Sequence, residues 1–107
     1  MEKFLITGGK GFIGKHLVKF LSEKDCELLL IIRNTIELKE NKNLQKIKTI
    51  NMDIEENIPD YYNLKEYVLI NLAWDGLPNF NSEEHFENIE IHMKFISQAV
   101  ELGVSKI

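Results

Sequence analysis

The chain has 107 residues, 44% of them hydrophobic, which suffices for one folded domain and excludes an intrinsically disordered segment. Its 13 Lys and Arg stand against 17 Asp and Glu, a formal net charge of −4, which argues against a nucleic-acid surface, since that needs a basic face. Cys26 is the single cysteine, so no intramolecular disulfide can form; it reads as a small buried or half-buried residue, and a reducing, cytoplasmic setting is expected.

Lys3 to Thr7 reads as a short buried strand running into glycines. From Phe12 the pattern turns helical: Phe12, Ile13, His16, Leu17, Phe20 and Leu21 recur as one apolar stripe. Glu27 to Arg33 is a second strand, and its unbroken apolar core predicts burial on both faces, as in a parallel sheet. Its longest apolar run, Leu28 to Ile32, is strand-sized, and Phe4-Leu5-Ile6 is too short for a signal peptide, so no membrane association is expected. Thr35 to Asn43 is polar with weak helical character, and a third strand of mixed character runs from Ile47 to Met52. Asp53 to Asn63 is loop-like, with Pro59 as a breaker.

Tyr67 to Leu72 is a fourth, strongly apolar strand, followed by a loop from Ala73 to Asn81. Ser82 offers a helix cap with Glu83 and Glu84 in the first turn. Phe86, Ile89, Met93, Ile96 and Val100 then outline the apolar stripe of a long helix that Gly103 should end. Val104 to Ile107 looks like the start of a fifth strand. This alternation predicts an α/β fold, a Rossmann-type doubly wound parallel sheet of order 3-2-1-4, truncated at the start of the fifth strand.

The loop Thr7-Gly8-Gly9-Lys10-Gly11-Phe12-Ile13-Gly14 joins the first strand to the first helix. It reads in two registers: Gly9, Gly11 and Gly14 spell GxGxxG, while Gly8, Gly11 and Gly14 spell TGxxGxxG. In either, the first glycine allows the turn and the middle one removes a Cβ that would block a pyrophosphate. Gly14 should let the helix pack closely on the sheet, and the N–H groups at the helix start, from Phe12 onward, would face the phosphates. The loop lacks the Gly-Lys-[Ser/Thr] ending of a Walker A motif, which argues against an ATPase or GTPase.

The TGGKGFIG loop in this context resembles the extended short-chain dehydrogenase/reductase superfamily, the NAD(P)-dependent nucleotide-sugar epimerases and dehydratases, and the resemblance runs through almost the whole chain. Where an acidic residue would bind the ribose of NAD, this chain has Arg33-Asn34. A guanidinium suits a 2′-phosphate, which favours NADP; Asn34 as a ribose partner leaves NAD open. Asp53-Ile54 resembles the family's adenine pocket, the carboxylate accepting from the exocyclic amine and the apolar neighbour covering the ring. Asn71-Leu72-Ala73-Trp74 resembles the family's His-Leu-Ala-Ala, with Asn71 in place of the histidine and Trp74 in place of the second alanine; Trp74 reads equally as a packing residue. The loop Trp74 to Phe80 resembles a subgroup handling nucleotide-linked deoxysugars. Asn88-Ile89 resembles the family's Asn-[Val/Ile], whose asparagine bonds to the loop after the fourth strand, although Ile91-His92 stands where the family has Gly-Thr.

His85 and His92 lie seven apart with no third ligand nearby and read as exposed helix residues; no metal site is expected. The family's Ser/Thr and Tyr-x-x-x-Lys would follow the fifth strand, beyond Ile107, and the match of Tyr61 with Lys65 is on the wrong side of the fourth strand. The sequence is therefore expected to be the N-terminal, cofactor-binding portion of an enzyme acting on a nucleotide sugar, without its catalytic segment and substrate domain. The alternative is a non-catalytic NAD(P)-binding or self-associating module left by truncation. The unpaired sheet edge and bare helix face that such a portion would have predict self-association.

Overall fold

A computed structural model of the chain describes residues 1–33, 47–73 and 84–107. Its elements are β1 (Glu2–Thr7), α1 (Phe12–Ser22), β2 (Cys26–Ile32), β3 (Ile47–Asn51), β4 (Tyr67–Asn71) and α2 (Glu84–Glu101). The segment predicted weakly helical, Asn34, Trp74 with its loop, and the Ser82 cap lie outside the described residues.

All strand pairs are parallel and the order is β3-β2-β1-β4, as the alternation predicted. The register sets Ile6 beside both Leu30 and Ile70. The fifth strand begins where expected, with Lys106 bridging to Val68 in parallel and its carbonyl accepting from the Leu69 N–H at 2.9 Å.

The unbroken apolar run of β2 serves two cores, because successive side chains of a strand point to opposite faces. Leu28, Leu30 and Ile32 join Ile6, Ile47 and Val18 of α1, while Leu29 and Ile31 join Leu5, Leu69, and Phe95 and Ala99 of α2. Among the described residues, α1 covers one face of the sheet and α2 the other. Cys26 is buried, and its thiol donates to the Leu21 carbonyl at 3.1 Å.

Both helices turn a different face inward from the one their apolar stripes predicted. In α1 the buried residues are Gly14, Val18 and Ser22, while Phe12, Ile13, His16 and Phe20 are exposed and Leu17 and Leu21 are half-buried. The helix start lies against loop backbone, and only small side chains fit that approach. The outward Phe12 meets His16 edge-on at 5.2 Å, and the Lys24 ammonium lies 4.8 Å from the Phe20 ring. In α2 the inward residues are Asn88, His92, Phe95 and Ala99, whereas Phe86, Ile89, Met93 and Val100 face outward and Ile96 is half-buried. His92 is therefore buried, not exposed, and His85 is half-buried.

Gly103 ends α2 as expected, with φ +122°. The Val104 N–H reaches back to Ala99 O (3.1 Å) and the Gly103 N–H to Val100 O (3.0 Å), the two bonds of a Schellman cap. The loop ahead of β4 is clamped to the same helix: Gln98 accepts from the Ile58 N–H at 2.8 Å and donates to its carbonyl at 3.3 Å.

Candidate functional site

The glycine loop resolves its two registers by geometry. Gly8 turns the chain at φ +71°, and a Cβ there would lie 2.6 Å from the Ala73 nitrogen and 2.7 Å from the Leu72 carbonyl carbon. Gly9 is spaced by packing, with Val18 Cγ2 3.3 Å from where its Cβ would be. A Cβ on Gly14 would stand 1.9 Å from the Gly8 oxygen and 2.9 Å from the Gly9 Cα. Gly14 thus lets α1 pack on the loop backbone, rather than on the sheet as expected.

Gly11 differs from these. A Cβ there meets only the Gly8 oxygen, at 3.4 Å, an ordinary contact. The fold tolerates a side chain at 11, so what the missing Cβ leaves is free space beside the loop. Gly11 is also the N-cap of α1, in extended conformation, with no side-chain cap and no acidic residue in the first turn. The positive end of the helix is left without an anionic partner from its own first turn. Phe12 and Ile13, at this helix start, are 80% and 68% exposed.

A cleft of about 270 Å³ opens beside this loop. It brings together Gly8, Gly11, Arg33, Asp53, Ile54 and Ala73 of the expected site. Phe12, Ile13, Gly14 and Leu72 do not line it, though Gly14 and Leu72 shape its wall through Gly8. Gly9 and Lys10 of the same loop also line it, as do Ile31, Ile32 and Met52, which the sequence reading missed. The signal was present, because ligands of open α/β sheets sit outside the carboxyl ends of the strands, where Ile32 and Met52 lie.

At the far end, Arg33 Nη1 lies 3.7 Å from Asp53 Oδ2. The Arg33 side chain is 71% exposed and that of Asp53 35%, so the pair is screened and worth under about 1 kcal/mol. Asp53 is held in a tight turn: its N–H donates to Glu56 Oε1 at 2.9 Å, and its Oδ1 accepts from the Glu55 N–H at 3.2 Å.

Below the cleft, the ends of β1 and β4 share a polar network. Thr7 Oγ1 donates to Asn71 Oδ1 at 2.5 Å and accepts from the Leu72 and Ala73 N–H groups at 3.1 and 3.2 Å. Asn71 Nδ2 lies 2.7 Å from His92 Nδ1. Asn88 is buried on the same helix, and the loop it was expected to bond lies outside the described residues.

Tyr61 is 78% exposed, stacks on Tyr62 with ring centres 4.8 Å apart, and stands away from the cleft. The Tyr62 hydroxyl is pushed up from its ordinary value, mainly by burial and then by Tyr61, the wrong direction for a general base. Among the described residues no cluster of His, Cys, Asp or Glu could hold a metal ion, and no helix is long and apolar enough to cross a membrane.

Comparison with known proteins places this geometry. The chain is 26% identical over 106 residues to the dTDP-6-deoxy-L-talose 4-dehydrogenase (NAD(+)) of Aggregatibacter actinomycetemcomitans, covering 96% of this chain and 38% of that relative. Its fold matches the UDP-Glc/GlcNAc 4-epimerase of Campylobacter jejuni with a TM-score of 0.58 at 20% identity, over 92% of this chain and 30% of that one. The chain thus spans well under half the length of either. The family model described as GDP-mannose 4,6 dehydratase matches residues 5–88, from β1 through the glycine loop into α2, and the chain belongs to this family of extended short-chain dehydrogenases/reductases.

Proposed function

We propose that the chain holds a nicotinamide dinucleotide, as the N-terminal cofactor-binding portion of an enzyme that epimerises, dehydrates or reduces a nucleotide-linked sugar. The observation that carries this reading is Gly11, whose missing Cβ the fold does not need, at an uncapped helix start beside a cleft. The pyrophosphate would lie over Gly11, on the N–H groups of Phe12 and Ile13. The adenosine would lie toward Asp53 and Ile54, with Ala73 bordering the dinucleotide's other end. When bound, the nicotinamide accepts or returns a hydride. The two relatives act, by their names, on dTDP-linked and UDP-linked sugars, which supports a nucleotide sugar as substrate class.

Arg33 supports NADP as the preferred cofactor: it is exposed at the rim, its ion pair with Asp53 is weak, and so it is available to a 2′-phosphate. NAD is the alternative, and the talose dehydrogenase is named for it. Calorimetric titration of the chain with NADPH and NADH tests both levels. Binding of either supports the cofactor reading, tighter binding of NADPH supports Arg33 as its reader, and binding of neither overturns the proposal.

The outward face of α2 favours a second property, self-association. Phe86 and Met93 are 77% and 65% exposed, with Ile89 and Val100 about half exposed beside them. Light scattering should find a species larger than the monomer, and Met93→Glu should shift it to monomer without lowering stability. A monodisperse parent monomer would refute this.

A further inference from the structure

His92 lies outside the cleft, yet it is buried and joined to the cleft wall through two side chains. The polarity of that connection follows by elimination. The Leu72 and Ala73 N–H groups occupy the lone pairs of Thr7 Oγ1, so its one proton goes to Asn71 Oδ1. The carbonyl end of Asn71 therefore faces Thr7, and its amide nitrogen faces His92. An amide nitrogen only donates, so His92 Nδ1 accepts, and the ring is neutral with its proton on Nε2.

The other end of the connection is the cleft wall. Ala73 lines the cleft, and its nitrogen is the atom against which Gly8 is pressed. The Leu72 N–H is shared between Thr7 Oγ1 and the Thr7 carbonyl at 3.1 and 3.2 Å. Turning the Thr7 hydroxyl away would release one bond from each of these amides, at the place where the glycine loop meets the end of β4.

We infer that His92 is a positioning residue: through Asn71 and Thr7, its bare Nδ1 holds the Leu72–Ala73 backbone in the place that Gly8 and the cleft require. Its acceptor directs the Asn71 amide, the amide directs the Thr7 hydroxyl, and the hydroxyl gathers the two N–H groups. In this way α2 sets the wall of a site that none of its residues line.

Hydrogen exchange on the full chain tests this with two variants. His92→Leu fills the space without an acceptor, whereas His92→Asn places an oxygen near the position of Nδ1. In His92→Leu the Leu72 and Ala73 amides should exchange about tenfold faster, beyond any change at Leu5 and Leu30, which report global opening. His92→Asn should restore most of that protection. An equal change at all four amides, or none at Leu72 and Ala73, overturns the inference. In the parent protein, ¹⁵N shifts of the ring should show Nδ1 bare and Nε2 protonated; the opposite tautomer overturns it even if the variants do not fold. A third reading rests on the proposed cofactor: affinity for the tighter-bound dinucleotide should fall about tenfold in His92→Leu and recover in His92→Asn. Failure of the parent to bind any dinucleotide would count against the cofactor reading, while exchange and tautomer would still decide the role of His92.

Discussion

The two ends of the cleft are built from different materials. At the glycine loop, position is set by backbone meeting backbone: Gly14 against Gly8, and Gly8 against Leu72 and Ala73. At the opposite end two side chains, Arg33 and Asp53, meet in an exposed ion pair. Close contact of atoms leaves no small adjustment, whereas screened charges re-form at little cost. The glycine-loop end should therefore be intolerant of substitution, while the Arg33 end should tolerate substitution without disturbing the fold.

The strongest way to break that comparison is Gly14→Ala. A Cβ 1.9 Å from the Gly8 oxygen forces the start of α1 off the loop, and we expect a loss of about 3 kcal/mol in denaturant unfolding. A loss below about 1 kcal/mol would mean that the helix moves freely and that backbone contact does not fix this end.

Gly11→Ser separates ligand from fold at the same loop. Serine is a favoured N-cap and position 11 has the extended conformation it needs, so stability should hold or rise by up to about 1 kcal/mol. Dinucleotide affinity should nevertheless fall by about tenfold or more, because the new side chain fills the phosphate space and its hydroxyl takes an N–H of the helix start. Unchanged affinity would remove Gly11 as the carrier of the proposed function.

Arg33→Ala should do least to the fold, under about 0.5 kcal/mol, because the pair it removes is exposed. Its effect should lie in preference: NADPH weakened about tenfold and NADH nearly unchanged. Equal weakening of both would sink the assignment of Arg33 to the 2′-phosphate.

The sheet was the most legible part of the chain. The unbroken run of β2 announced burial on both faces, and the glycine-rich stretch from 8 to 14 announced a strand-to-helix turn, because both are read from local pattern. The helix faces were misread. An apolar stripe assumes that a helix buries its largest hydrophobic residues, but α1 buries Gly14 against the loop backbone, Val18 against the sheet, and Ser22. In α2 the inward face carries Asn88 and His92, polar residues that a hydropathy pattern assigns to water. Asn71 and His92 looked like two unrelated departures from the family's motifs. They lie 2.7 Å apart, as two halves of one hydrogen bond.

The alternation of strands and helices, the turn at Gly8 and the end of α2 at Gly103 were thus settled by the residues in their own neighbourhoods, since hydropathy alternation, left-handed φ and helix termination are short-range matters. Which face of each helix turns inward, what Gly14 packs against, and the meeting of Thr7, Asn71 and His92 were settled only by the folded chain. Those depend on contacts between distant segments, such as Thr7 and Asn71, 64 residues apart, and no local pattern carries them.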